Sequence, residues 1–181
     1  MYNPQKNYIR MEVLPQVDKT DTRSIKVLVD DKIQEMGLEE YLVHVVAGEM
    51  YPDYHIEALK AQAVTARTYT YKKLQSGGCG NKGAQICDDI NHCQAYAADI
   101  PAEHKERMEY AVYSTKDEII TYEGKPITAL FHSTSGWMTE YNVNVFGENL
   151  PYLKSVQSQG EEGTPRYRQR ESFSIEEIKE K

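Results

Sequence analysis

The sequence predicts an α+β fold, with helices packed on a small, mostly antiparallel sheet, a Cys-rich loop and an extended N-terminal arm. Three observations predict it. Helical periodicity dominates residues 38–71, a second amphipathic run covers 102–114, and two β-rich runs between 117 and 132 flank a turn triplet. Helices followed by strands, without regular alternation, separate this class from α/β.

The elements follow in order. Tyr2 to Thr22 is polar and carries two prolines, which predicts an extended arm over residues 1–23. Ser24 to Asp30 alternates through Ile25, Val27 and Val29, the period of a strand with one buried face. A core helix begins at Glu40. At about 100° per residue, Leu42, Val45, Val46 and Glu49 fall on one stripe. Tyr51-Pro52-Asp53 ends it, because the residue before a proline is pushed out of the α region. A second helix runs from Ile56, where Ala58, Ala61, Ala63 and Ala66 permit close packing. A Gly-rich insertion carries all three cysteines. Ala102 to Ser114 is amphipathic through Met108, Ala111 and Val112. Asp117 to Tyr122 and Pro126 to His132 read as a hairpin around Glu123-Gly124-Lys125. Leu153 to Val156 is expected to be a short strand, and the closing SIEEIKEK a solvated helix.

The chain has 181 residues, 40% of them hydrophobic, enough for one core with an arm. A net charge of −7 argues against non-specific nucleic-acid binding. No run approaches the roughly eighteen apolar residues of a membrane span.

Several residues carry chemistry. Glu49 stands on an apolar stripe, where solvated glutamates are unusual. A carboxylate set against apolar neighbours has its acid form favoured, which suits a general acid. The alternative is a residue of the last helical turn that faces solvent or pairs with a cation. Lys60, Val64, Arg67 and Tyr71 share a face of the second helix. Their cations and phenol fit the hydroxyls and carboxylates of a sugar polymer, or would hold Glu49; an ordinary solvated face is the other reading. In FHSTSG, His132, Ser133, Thr134 and Ser135 precede a flexible Gly136. Adjacent strand residues point to opposite faces and no G-x-S-x-G elbow is present, so these groups read as substrate-binding, or as a polar loop capping its own backbone. Trp137 is either a sugar-stacking wall or a core aromatic.

Cys79, Cys87 and Cys93 lie within fifteen residues, and His92 directly precedes Cys93. Three thiols and an imidazole supply four tetrahedral ligands of the kind zinc takes. One disulfide with a free thiol is the structural alternative.

Two blocks, YLVHVVAGEMYPDYHIEALKAQAVTARTYTY and FHSTSGWMTEYNVNVFGENLPYLKSV, resemble the stage II sporulation protein D family, in the right order and over about Ser24 to Val156. The resemblance implies a lytic transglycosylase acting on peptidoglycan, with Glu49 in the place of the catalytic acid and residues 24–181 as the catalytic domain. It departs from the family pattern where Tyr51 is inserted before Pro52 and where Trp137 replaces a usual glycine. Clostridial-type members carry a similar ICxDxxHCQAY segment and bind zinc through its two cysteines, its histidine and an earlier histidine. This chain keeps Cys87, His92 and Cys93, has Asn81 where the earlier histidine is expected, and offers Cys79 as replacement. The implied zinc is structural and not required for the chemistry.

The resemblance further implies glycan strands as substrate, with stage II sporulation protein P (an amidase and endopeptidase) and stage II sporulation protein M as partners. It places the protein at the outer face of the cytoplasmic membrane between mother cell and forespore, behind a membrane anchor that this sequence lacks. Relatives are expected to continue past the FSIEEI segment at which this sequence ends. Two other readings compete: a glycan-binding enhancer of a partner amidase, which shares the domain, and a zinc-dependent interaction module.

Overall fold

A computed structural model describes residues 14, 16–164, 167–168 and 170–179. Those up to Leu130 form one compact unit and those from Phe131 a second. Of the arm expected over residues 1–23, residues 1–13 and 15 lie outside the described part, and 16–23 carry no helix or strand.

The first unit begins with β1 (Ser24–Val29), whose Ile25, Val27 and Val29 point into the core as the alternation predicts. Asp30 and Asp31, with φ of 47° and 65°, turn the chain in two residues into β2 (Lys32–Gly37). Two successive left-handed residues match the twist of the strands they join. Ser24 pairs with Gly37 and Val29 with Lys32. The sequence reading had no β2. Its Lys32, Ile33, Gln34 and Glu35 are all exposed, so no buried face imposes an alternating pattern. A two-residue β3 (Ile86–Cys87) runs parallel to the other edge of β1, giving the order β2-β1-β3, antiparallel over most of its length.

α1 (Leu38–Glu49) follows β2 directly, two residues before its expected start. Gly37 has no side chain with which to cap it. Asp21 does so from a distance, its Oδ2 accepting the N–H groups of Glu39 (2.6 Å) and Glu40 (3.3 Å). A Cβ at position 37 would stand 2.3 Å from that oxygen, so a side chain there would push the capping carboxylate of Asp21 aside. Leu38, Tyr41, Leu42, Val45 and Val46 form the buried stripe. Full burial of each aliphatic one contributes about 1.5–3 kcal/mol. α2 (Ile56–Gln75) starts after the proline corner, with His55 Nδ1 accepting the Glu57 N–H. Its Ala63 and Ala66 are wholly buried, and α1, α2 and α3 (Ala102–Tyr113) pack mutually. Met108, Ala111 and Val112 supply the buried face of α3, as expected. From the same helix Arg107 donates to the carbonyls of Pro52 (3.0 Å) and Tyr54 (2.9 Å) and so fixes the corner after Glu49.

The predicted hairpin is present but short. β4 (Thr121–Tyr122) and β5 (Lys125–Pro126) flank a turn at Glu123-Gly124. The first pairs exposed residues only and the second one exposed and one half-buried, so no apolar face extends the ladder.

The second unit is mostly loops, with α4 (Asn142–Phe146) and α5 (Ile175–Lys179). The strand expected at Leu153 to Val156 does not form. Thr139 spends its side chain and backbone on Lys154, Ser155 and Val156, and a single bridge joins Met138 to Gln157. α5 opens on a capping box: Ser174 Oγ accepts the Glu177 N–H, and Glu177 accepts the Ser174 N–H. Among the described residues no helix is long and apolar enough to cross a membrane.

Candidate functional site

Glu49 closes α1 and is half-buried. Its Oε1 accepts the backbone N–H of Ala95 at 3.0 Å. Among the described residues its other oxygen has no recorded protein hydrogen bond. The Ala95–Ala97 backbone lies along α1, with the Ala97 N–H donating to the His44 carbonyl (3.0 Å) and His44 Nδ1 2.6 Å from the Ala97 carbonyl. Gly48 makes this approach possible: a Cβ there would sit 2.9 Å from the Tyr96 nitrogen. A carboxylate with one oxygen anchored and the other open can deliver and retrieve a proton at a fixed place.

Two residues before Ala95 lies a donor cluster. The ligand atoms of Cys79, Cys87, His92 and Cys93 all fall within 4.8 Å of one another. Cys87 Sγ is 3.2 Å from His92 Nδ1 and 3.4 Å from Cys93 Sγ, and the latter is 3.9 Å from the same nitrogen. Metal–sulfur bonds of about 2.3 Å in a tetrahedron give sulfur–sulfur edges of about 3.8 Å, so the cluster is compatible with a metal ion. The disulfide alternative fails, since all three cysteines are free. Local hydrogen bonding builds the cluster. The Cys79 N–H donates to the Gln85 carbonyl, the N–H groups of His92 and Cys93 both donate to the Asp89 carbonyl, and Asp89 caps Asn91. β1 supplies the floor through Leu28, which packs on Ala84 and Cys87. Burial, with the neighbouring Cys87 and Cys79, pushes the Cys93 thiol up to about 12. A cation bound here would displace the Cys93 proton.

Arg67 is not where the sequence reading put it. It is 1% exposed, and its guanidinium grips Glu39, itself 2% exposed, at 2.7 Å. The remaining donors go to the Val112 carbonyl (2.9 Å), the Glu118 carbonyl (3.2 Å) and the Thr115 hydroxyl (3.4 Å). Every nitrogen is engaged inside the unit, so Arg67 has no surface from which to reach a glycan and does not hold Glu49. Lys60 and Tyr71 lie on the same helical face but do not converge. Lys60 pairs with Glu57 at 2.8 Å and sits 5.3 Å from the Tyr110 ring centre, while Tyr71 lies under Arg23.

In the second unit His132 and Ser133 are exposed, and Trp137 is 50% exposed, so it is not a core aromatic. Ser135 is half-buried and donates to Glu161 through its N–H and hydroxyl. The sequence reading missed Ala95, Gly48, Glu39 and Glu161. A backbone N–H such as that of Ala95 leaves no mark in a sequence. Glu39 carries no signal of its own in the sequence, because its partner Arg67 lies 28 residues further on, on another helix.

A family model described as Stage II sporulation protein matches residues 30–122. The chain is 34% identical over 159 residues to a stage II sporulation protein D of Bacillus amyloliquefaciens, covering 82% of this chain and 46% of that protein. It is 34% identical over 163 residues to the protein of the same name from Bacillus subtilis strain 168, covering 84% and 47%. An amidase enhancer of the same strain is 33% identical over 109 residues, 60% of this chain and 14% of that protein. The chain thus spans about half the length of the two sporulation proteins it matches.

Proposed function

The chain belongs to the stage II sporulation protein D family, and on that premise we propose that it is a lytic transglycosylase of peptidoglycan in which Glu49 is the acid and base. The observation that carries this reading is the Glu49 carboxylate, held by the Ala95 N–H on one oxygen and, among the described residues, without a hydrogen bond on the other. The bond cleaved joins N-acetylmuramic acid to N-acetylglucosamine. Protonated Glu49 gives its proton to the leaving oxygen as that bond breaks. The 6-hydroxyl of the same muramic acid then bonds to the anomeric carbon, and its proton returns to Glu49. The product is a 1,6-anhydro end, and no water is consumed. Hydrolysing glycosidases generally need a second carboxylate to activate water or to attack; this reaction needs one.

Zinc is the metal proposed for Cys79, Cys87, His92 and Cys93, since thiolate and imidazole suit it. It would cross-link the loop that leads into Ala95. Four protein ligands complete its shell, which assigns it a structural role. Exposed His132, Ser133 and Trp137, with Ser135 behind them, are proposed to bind glycan, the indole as a stacking face. Lys60 and Tyr71 are proposed to bind it from α2. The wider setting is part of the same proposal: peptide-stripped strands as substrate, stage II sporulation proteins P and M as partners, and action at the outer membrane face between mother cell and forespore.

The test is direct. The protein and its Glu49→Gln variant are incubated with amidase-stripped glycan strands, and the ends are read by mass spectrometry. Glu49-dependent 1,6-anhydro ends support the reading; no cleavage by folded protein removes it. The relative named as an amidase enhancer favours a second reading, a glycan-binding activator of an amidase. That reading expects faster amidase turnover with no anhydro product, and equally from Glu49→Gln.

A further inference from the structure

Glu161 gathers hydrogen bonds from two segments of the second unit. It accepts the N–H groups of Ser135 (3.0 Å), Gly136 (3.0 Å) and Trp137 (3.3 Å), and the hydroxyls of Ser135 (2.9 Å) and Ser158 (2.8 Å). Three consecutive N–H groups aimed at one anion form a nest, a backbone concavity whose partial charges favour negative groups. The nest exists because Gly136 and Trp137 both have positive φ, 71° and 107°. Glycine takes such a conformation freely; tryptophan does not, and a residue held there needs surroundings that over-determine it. The carboxylate is what over-determines it. Charge-assisted hydrogen bonds of this kind are roughly twice as strong as neutral ones. Removing the acid would leave converging N–H groups with nothing between them.

The same segment is fastened on both sides of Glu161. The Ser158 N–H donates to the Trp137 carbonyl (2.8 Å), Met138 bridges to Gln157, and the Thr134 and Thr164 hydroxyls lie 3.4 Å apart. Partial desolvation pushes the Glu161 carboxyl up, but the Ser158 and Ser135 donors outweigh it and bring it down to about 2. The clamp is therefore charged throughout the physiological range.

We infer that Glu161 is a positioning residue, whose carboxylate fixes the backbone of Ser135–Trp137 and with it the presentation of Trp137 and of the neighbouring His132 and Ser133. Its consequence for glycan rests on the transglycosylase reading above; the clamp itself does not.

The single tryptophan makes the test specific. Acrylamide quenching of Trp137 is compared in the wild type, Glu161→Ala and the near-isosteric Glu161→Gln, each checked for unchanged circular dichroism. Both variants are expected to quench about twice as readily, and to raise KM for stripped glycan about tenfold with kcat within about twofold. Unchanged quenching in folded Glu161→Gln overturns the clamp. Looser quenching with KM unchanged overturns the positioning role. The fluorescence arm uses no glycan, so a wild type that cleaves nothing sinks the transglycosylase reading and leaves the clamp to be decided by quenching alone.

Discussion

Glu49 and Ala95 are joined by a single 3.0 Å hydrogen bond, and that bond links the candidate acid to the donor cluster. Ala95 follows Cys93 by two residues, so whatever fixes the Cys93 backbone also fixes the N–H on which Glu49 rests. The intervening Gln94 is buried and donates to the Thr70 hydroxyl of α2 at 2.9 Å, which makes the connection stiff. α1 carries the acid, the cysteine loop orients it, and α2 braces the loop.

Gly48→Ala tests how finely that geometry is set. The new methyl would meet the Tyr96 nitrogen at 2.9 Å and the Ala95 carbonyl carbon at 3.0 Å, both backbone atoms that cannot swing aside. The segment must move off α1 and take the Ala95 N–H with it. Overpacking costs about 1–3 kcal/mol, less up to about 1 kcal/mol gained from alanine's helix propensity. Urea unfolding is expected to show a net loss near 1 kcal/mol. Turnover should fall about tenfold, further than that stability loss explains, because folded protein would carry a misdirected Glu49.

Metal removal acts through the same connection. One zinc per chain is expected by mass spectrometry of metal content. Chelation, or Cys93→Ser, should lower the melting temperature by about 10 °C, the size of a ligand bound about a thousandfold above its Kd in a domain this large. The sign with pH follows from the thiols. Cys93 is pushed up to about 12 by burial without a cation, so binding must expel protons. Affinity should therefore rise with pH, and metal should be released as pH falls. Affinity that is flat between pH 6 and 8 would count against thiolate ligation.

Much of this was legible in the sequence because it rests on local pattern. The α1 stripe, the α2 start after Pro52 and the Met108–Ala111–Val112 face follow from helical period, and the Cys79–Cys93 cluster from donor chemistry. What was illegible depends on long-range pairing. β2 has no buried face to give it a period. The Arg67 face read as solvent or ligand surface because helical spacing shows which residues share a side, not what covers that side. The cover is Val112, Thr115 and Glu118, some fifty residues on in the chain.

Arg67 accordingly gives a prediction opposite to the one its spacing suggested. Arg67→Ala would strand the Glu39 carboxylate, 2% exposed, without a counter-charge. Breaking one side of a buried pair costs about 3–5 kcal/mol, whereas replacing both sides by apolar groups of similar volume is often close to neutral. Arg67→Ala should therefore lose most of the stability measured by urea, and Arg67→Met with Glu39→Leu should recover much of it. If Arg67→Ala keeps its stability and loses only glycan affinity, the buried pair is not what the residue is for.

Glu161 sets a pH dependence whose sign can be worked through. Its folded carboxyl titrates near 2, against about 4.3 for an unfolded glutamate. A depressed value means the folded state prefers the charged form, so the contribution is complete above the unfolded value and disappears as pH falls through the folded one. Glu161→Gln has no charge to lose and resembles the protonated acid in shape. The gap between wild type and Glu161→Gln in urea midpoint should be widest at pH 6, roughly half gone by pH 3 and closed near pH 1, whereas the gap in Trp137 quenching, which reads the folded state alone, should persist to about pH 3 and close only as pH falls through about 2. A gap that stays constant across this range would show that the carboxylate's charge plays no part in holding the Ser135–Trp137 backbone.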